Sequence, residues 1–199
     1  MNRDIILCGV GGQGTVLASK IIAAAAMDEG NTAHSAETIG MAQRGGPVTS
    51  HVRIGEDVYS PLIPYGSADI LLAFEPSEAV RNLKYIKPDG VVIVNTCAIK
   101  PVTENLKKSG YSGEVMTEYL ASKCDCVFVS SDEVCRPFGS VKFFNIIMLG
   151  IAAGSGRLGI AKETLLRRIK AQVRAQFAEA NLKAFETGYK MGREAYHEN

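Results

Sequence analysis

Gly9-Val10-Gly11-Gly12-Gln13-Gly14 is the most informative stretch of this chain. It follows the apolar, β-prone run Ile5-Ile6-Leu7-Cys8 and precedes an Ala-, Leu- and Ile-rich stretch over Thr15–Asp28 that Gly30 stops. The run reads as a buried strand and the stretch as a helix, so the glycines form a tight strand-to-helix turn of the G-x-G-x-x-G kind. Gly9 suits the sharp bend, Gly11 a close approach of backbone to a ligand, and Gly14 the packing of helix on sheet. Free N–H groups and the helix dipole favour an anion at such a turn. A turn that only packs helix on sheet enriches for glycine too, so both readings stay open.

The same alternation continues outward. A strand fits 32–37, and Glu37 at its end stands where a ribose-binding acid would sit in a dinucleotide fold. Residues 48–54 alternate apolar and polar as a half-buried strand, and Glu56-Asp57 would turn the chain into a second arm over 58–62, making a hairpin. Residues 69–74 and 90–95 are near-continuous apolar runs, as parallel strands covered on both faces require. A helix with Pro in its first turn fits 76–84. A further helix fits 117–123 and a strand 126–130, and the last third is helical over 140–153 and 162–196. Gly188 and Gly192 argue against one unbroken helix at the end. The sum is an α/β fold: an open, mostly parallel sheet with helices on both faces, a β-hairpin insertion and a helical C-terminal segment (about 140–196), in a single domain over 1–199.

The second unusual loop is Thr38-Ile39-Gly40-Met41-Ala42-Gln43-Arg44-Gly45-Gly46-Pro47. Gly45-Gly46-Pro47 bends sharply, Arg44 offers a planar fork for carboxylate or phosphate, and Gln43 and Gln13 offer amides. Both loops follow strand ends on the side where open α/β sheets take ligands. The candidate binding residues are therefore Gly9, Gly11, Gly12, Gln13, Gly14, Glu37, Gln43, Arg44, Gly45 and Gly46. The alternative is a solvated loop whose arginine pairs with Glu37 or Glu75.

Composition limits the function. A net charge of +1 gives no electrostatic case for nucleic acid or an anionic membrane. No apolar run approaches the ~20 residues that span a bilayer, and the N-terminal run is too short for a signal-peptide core, so a cytoplasmic protein is expected. Five scattered cysteines suit a reducing compartment better than a disulfide framework. Cys124-Asp125-Cys126 is expected to point its thiols to opposite faces, with no second pair to complete a metal site. Cys8 reads as the end of a core strand, His34 and His51 as structural residues, and the charged side of the final helical region as a solvated face. No nucleophile elbow or phosphate-binding lysine loop is present, and neither a catalytic residue nor a metal ligand is assigned.

The glycine turn, the run Gly40-Met41-Ala42-Gln43-Arg44-Gly45-Gly46-Pro47-Val48, Ser60-Pro61-Leu62-Ile63-Pro64 and Glu75…Glu78-Ala79…Arg81 together resemble the gamma-type domain of 2-oxoacid:ferredoxin oxidoreductases. This is the pyruvate/ketoisovalerate oxidoreductase family, and the resemblance is nearest to the small (beta) subunits of its indolepyruvate branch. It covers most of residues 1–100, and more loosely Asn145, Leu149-Gly150 and Asn181…Gly188. The resemblance implies a subunit, inactive alone, of an enzyme that converts a 2-oxoacid and coenzyme A to acyl-CoA and carbon dioxide and reduces ferredoxin. It also implies that thiamine diphosphate, magnesium and iron–sulfur clusters sit on a larger partner subunit. This chain has neither a Gly-Asp-Gly thiamine run nor iron–sulfur cysteine spacing. The rival readings are a stand-alone dinucleotide-binding oxidoreductase and an assembly module that binds no ligand.

Overall fold

The computed structural model describes residues 1–40, 45–99 and 111–197. Six strands form one sheet in the order β2-β3-β1-β4-β5-β6. They are β1 (Arg3–Val10), β2 (Ala33–Ile39), β3 (Pro47–Ile54), β4 (Ala68–Ala73), β5 (Ile86–Asn95) and β6 (Cys126–Val129). β1, β4, β5 and β6 run parallel, which their near-continuous apolar sequences anticipate. β3 lies antiparallel to both β1 and β2.

That insertion of β3 corrects the expected hairpin. Residues 48–54 do turn back, but they pair with β2 and β1, not with 58–62. Segment 58–62 leaves the sheet because side chains satisfy its backbone. The Arg53 guanidinium donates to the carbonyls of Ser60 and Leu62, and His51 Nδ1 accepts the Ile63 N–H at 3.2 Å. Ile63 thereby covers the sheet face formed by Ile6, Cys8 and Leu71.

His51 is buried, and burial, reinforced by the Arg53 charge, holds its pKa below the usual histidine value. Below about pH 6.5 the unfolded chain binds a proton there that the native state refuses, so stability falls as pH falls through that window. The melting temperature should drop by a few degrees more between pH 7 and pH 5 in the native chain than in His51→Asn. Parallel melting curves for the two would show that His51 carries none of the pH dependence.

α1 (Thr15–Asp28) lies on one face of the sheet, and α2 (Pro76–Asn82) and α3 (Gly113–Ala121) on the other. After β6 come the short α4 (Ser131–Val134), α5 (Phe144–Gly154), α6 (Lys162–Gln172) and α7 (Ala178–His197). α5, α6 and α7 add to the α1 face. Ten of the eleven residues of α5 are buried, because it is enclosed by the sheet, α1 and α7. The charged side of α6 is partly tied down: Arg167 and Arg168 both pair with Asp28 at the end of α1. Helix 162–196 does break, but at Val173-Arg174, and α7 runs unbroken through Gly188 and Gly192. These two glycines face Gly150 and Gly154 of α5, where any side chain would strike the opposing helix backbone. No single helix among the described residues is long and apolar enough to cross a membrane.

Candidate functional site

β1 carries the chain past Gly9 to Val10 before it bends, so the turn proper is Gly11–Gly14. Gly12 (φ 105°) and Gly14 (φ 80°) hold the left-handed backbone that side-chain-bearing residues avoid. A Cβ on Gly9 would sit 2.5 Å from Gln13 Oε1 and 2.9 Å from the Phe74 Cβ. A Cβ on Gly14 would sit 2.5 Å from Asn145 Nδ2, which donates to the Gly14 carbonyl. No atom of the described residues lies within 4 Å of a Cβ placed on Gly12.

The structure brings the two glycine loops together. Gly11 N–H donates to the Gly46 carbonyl at 2.9 Å, and Gly45 N–H donates to the Gly11 carbonyl at 3.2 Å. Gln43 and Arg44 lie outside the described residues. Gln13 is committed to the fold: its Oε1 accepts the Val10 N–H and its Nε2 donates to the Phe74 carbonyl, both at 2.7 Å. It pins the turn to the end of β4, and its amide is spent on backbone. Glu37 lies apart. With β3 between, it is two strand spacings, roughly 10 Å, from β1. Its carboxylate is exposed and takes a long 3.4 Å bond from Ser19 of α1. The topology therefore withholds the acid from the place where a dinucleotide ribose would meet the glycine turn.

Among the described residues, the N–H groups of Gly12 and Gly14 meet no acceptor, and α1 has no acidic residue in its first turn and no side-chain cap. Thr15 is buried, and its hydroxyl meets no partner among the described residues. Among the described residues, no acidic side chain compensates the positive end of this fourteen-residue helix.

Beside the turn lies a cleft of about 520 Å³ above the C-terminal ends of β1, β5 and β6. Its floor is organised by Asn95, which sequence reading left as the end of a strand. The Asn95 amide donates to the carbonyls of Phe74 (3.0 Å) and Cys97 (3.2 Å), and its oxygen accepts the N–H groups of Cys97 (3.0 Å) and Ser131 (3.1 Å). The Phe74 carbonyl therefore joins Gln13 and Asn95, and with them the turn and the cleft floor. Burial raises the Cys97 thiol, but hydrogen bonds from Ser131, the Asp132 backbone and Ser130 outweigh it and lower its pKa below the ordinary thiol value. Lys142 lines the cleft and enters no ion pair among the described residues.

On the other sheet face, Glu75 is fully buried at the N-cap of α2, accepting from Ser77 Oγ, the Glu78 N–H and Tyr111. Cys8 lies nearby; burial and then the carboxylates of Glu78 and Glu75 push its thiol pKa well up, so it stays protonated. No group of three or more His, Cys, Asp or Glu among the described residues is arranged to hold a metal.

The family described as pyruvate ferredoxin/flavodoxin oxidoreductase matches residues 4–191. The indolepyruvate oxidoreductase subunit IorB of Archaeoglobus fulgidus is 39% identical over 191 residues, covering 95% of this chain and 94% of the relative. The IorB subunit of Methanothermobacter thermautotrophicus is 36% identical over 95% of this chain and 97% of its own. Among solved structures, the gamma subunit of a keto/oxoacid ferredoxin oxidoreductase from Geobacter sulfurreducens superposes with a TM-score of 0.70 at 25% identity, covering 96% of this chain and 98% of that one. With the glycine turn, the tied Gly45-Gly46 loop and the sheet all in place, this chain belongs to the pyruvate ferredoxin/flavodoxin oxidoreductase family.

Proposed function

We propose that this chain is the small subunit of a 2-oxoacid:ferredoxin oxidoreductase of the indolepyruvate type. The observation that carries the proposal is the end-to-end similarity to indolepyruvate oxidoreductase small subunits, at 39% identity over 95% of the chain. The reaction it serves takes a 2-oxoacid and coenzyme A to acyl-CoA and carbon dioxide, with two electrons passed to ferredoxin. Thiamine diphosphate, magnesium and the iron–sulfur clusters are assigned to a larger partner subunit, as the family resemblance implies for a chain with neither a Gly-Asp-Gly run nor iron–sulfur cysteine spacing.

The part left to this chain is anion binding and positioning. Coenzyme A carries phosphates at one end and, when bound, supplies the thiol that takes the acyl group. The N–H groups of Gly12 and Gly14, which meet no acceptor among the described residues, the N-terminus of α1 and Lys142 are the donors here that suit a phosphate. Asn95 and Gln13 hold the turn and the cleft floor in fixed relation. The face carrying Gly11–Gly14 and Gly45-Gly46 is then the one that meets the thiamine-bearing subunit.

The test is to co-purify the tagged chain from anaerobic lysate and assay the eluate for indolepyruvate- and coenzyme A-dependent reduction of a viologen dye. A larger iron–sulfur chain with that activity is expected. In the complex, Gly12→Asp should raise KM for coenzyme A about tenfold or more (1.4 kcal/mol per tenfold), with assembly intact. Gly12→Ala brings the backbone strain without the charge and should do much less. Recovery of the tagged chain alone would sink the subunit reading. An unchanged KM in Gly12→Asp would remove the turn from the coenzyme path.

A further inference from the structure

The pair Cys124 and Cys126 does not behave as alternating strand residues. β6 begins only at Cys126, and Cys124 sits in the turn that ends α3, where its thiol donates to the Leu120 carbonyl. Because only one member lies on the strand, both sulfurs reach the same side and approach to 3.4 Å. The expectation of opposite faces fails for that reason. Both residues are partly exposed, at the outer edge of the sheet.

We propose that Cys124 and Cys126 form a thiol–disulfide couple that a low-molecular-weight disulfide oxidises to an intramolecular bridge. The Cys124 sulfur attacks one sulfur of the small disulfide, breaking its S–S bond and releasing one thiol. Cys126 then attacks the Cys124 sulfur and releases the second thiol. Two protein thiols are oxidised and one disulfide is reduced to two thiols, which carry off the two protons.

Three features favour this site. The sulfurs must close from 3.4 Å to about 2.05 Å, a movement that side-chain rotation in a turn can supply. The order of attack follows from the surroundings. Burial first, then the bond to Cys124, hold the proton on Cys126, so Cys126 serves as the resolving thiol. The other cysteines are placed differently: Cys8 and Cys135 are buried, and Cys97 lies in the cleft at the far end of β5. A bridge across a single intervening residue closes a small, half-exposed ring, and strained or exposed disulfides are oxidising and easily reopened. The couple therefore stays reduced in a reduced thiol pool and closes when that pool is oxidised.

The experiment equilibrates the full chain anaerobically with oxidised glutathione and maps tryptic peptides by mass. The peptide 124–142 should lose two hydrogen masses, with fragment ions placing the bridge between Cys124 and Cys126, and a tenfold excess of reduced glutathione should restore both thiols. Cys126→Ser should trap a stable glutathione adduct on Cys124, and Cys124→Ser should react at Cys126 at least tenfold more slowly. Two free thiols after oxidation, a lasting adduct in the native chain, or a bridge to Cys135 would each overturn the proposal. None of these outcomes bears on membership of the larger complex.

Discussion

Gly188→Ala is expected to lower stability by about 3 kcal/mol and the melting temperature by roughly 6–12 °C. On an exposed helix the same change would stabilise by about 1 kcal/mol, because alanine is the better helix former. The sign reverses here because α5 and α7 meet backbone to backbone. A methyl group on Gly188 would overlap the Ile147 carbonyl, and one on Gly192 the Ile151 carbonyl. From the other side, Gly150 and Gly154 face the carbonyls of Phe185 and Tyr189. A carbonyl fixed in a helix cannot rotate away as a flexible side chain can, so the helices must separate along the seam. Thermal melts of Gly188→Ala and Gly150→Ala test this, and a raised melting temperature in either would refute the close crossing.

Asn95→Asp should be nearly as costly, and its cost should depend on pH. The carboxylate keeps the two acceptor bonds to Cys97 and Ser131 but faces the carbonyls of Phe74 and Cys97, where the amide had donated. An uncompensated buried charge costs about 3–5 kcal/mol. The folded-state pKa of the new acid then lies above its unfolded value of about 3.9. The deficit against the native chain is smallest below pH 4 and grows as pH rises through the folded pKa. Urea midpoints at pH 4, 5.5 and 7 would show the widening gap. A deficit that stays constant with pH would mean the amide hydrogens of Asn95 are not what the site depends on. In the assembled complex the same variant should lose activity together with stability, because the cleft floor and the glycine turn share the Phe74 carbonyl.

Local elements were legible where one physical cue dominates. The helix over Thr15–Asp28 and the parallel strands followed from apolar period and glycine stops, and the structure places them where the sequence does. The direction of strand pairing was not legible. The Glu56-Asp57 turn exists, but whether 58–62 joins the sheet depends on Arg53 and His51 binding its backbone first. Gly188 and Gly192 misled because a glycine that weakens an isolated helix is the residue a close helix crossing requires. The glycine turn announced itself as one motif, and its tie to Gly45-Gly46 followed from both lying at strand ends. The cleft gave no such signal: Asn95, Cys97, Ser131 and Lys142 come from separated segments with no spacing to read. The one available hint was a polar residue closing the apolar strand β5. Gln13 was read as a ligand donor because sequence shows an amide and not what it already holds.

The contact between Asn145 and Gly14 joins residues 131 positions apart. At synthesis rates of about 5–20 residues per second, the ribosome needs roughly 7–26 s to deliver the second after the first. Until then the first helix of the emerging protein has its turn but not the side chain packed behind it. The end of the helix proposed to bind an anion is thus among the last places to acquire its native surroundings, and on that proposal the order of manufacture alone disfavours premature ligand capture by an unfinished chain.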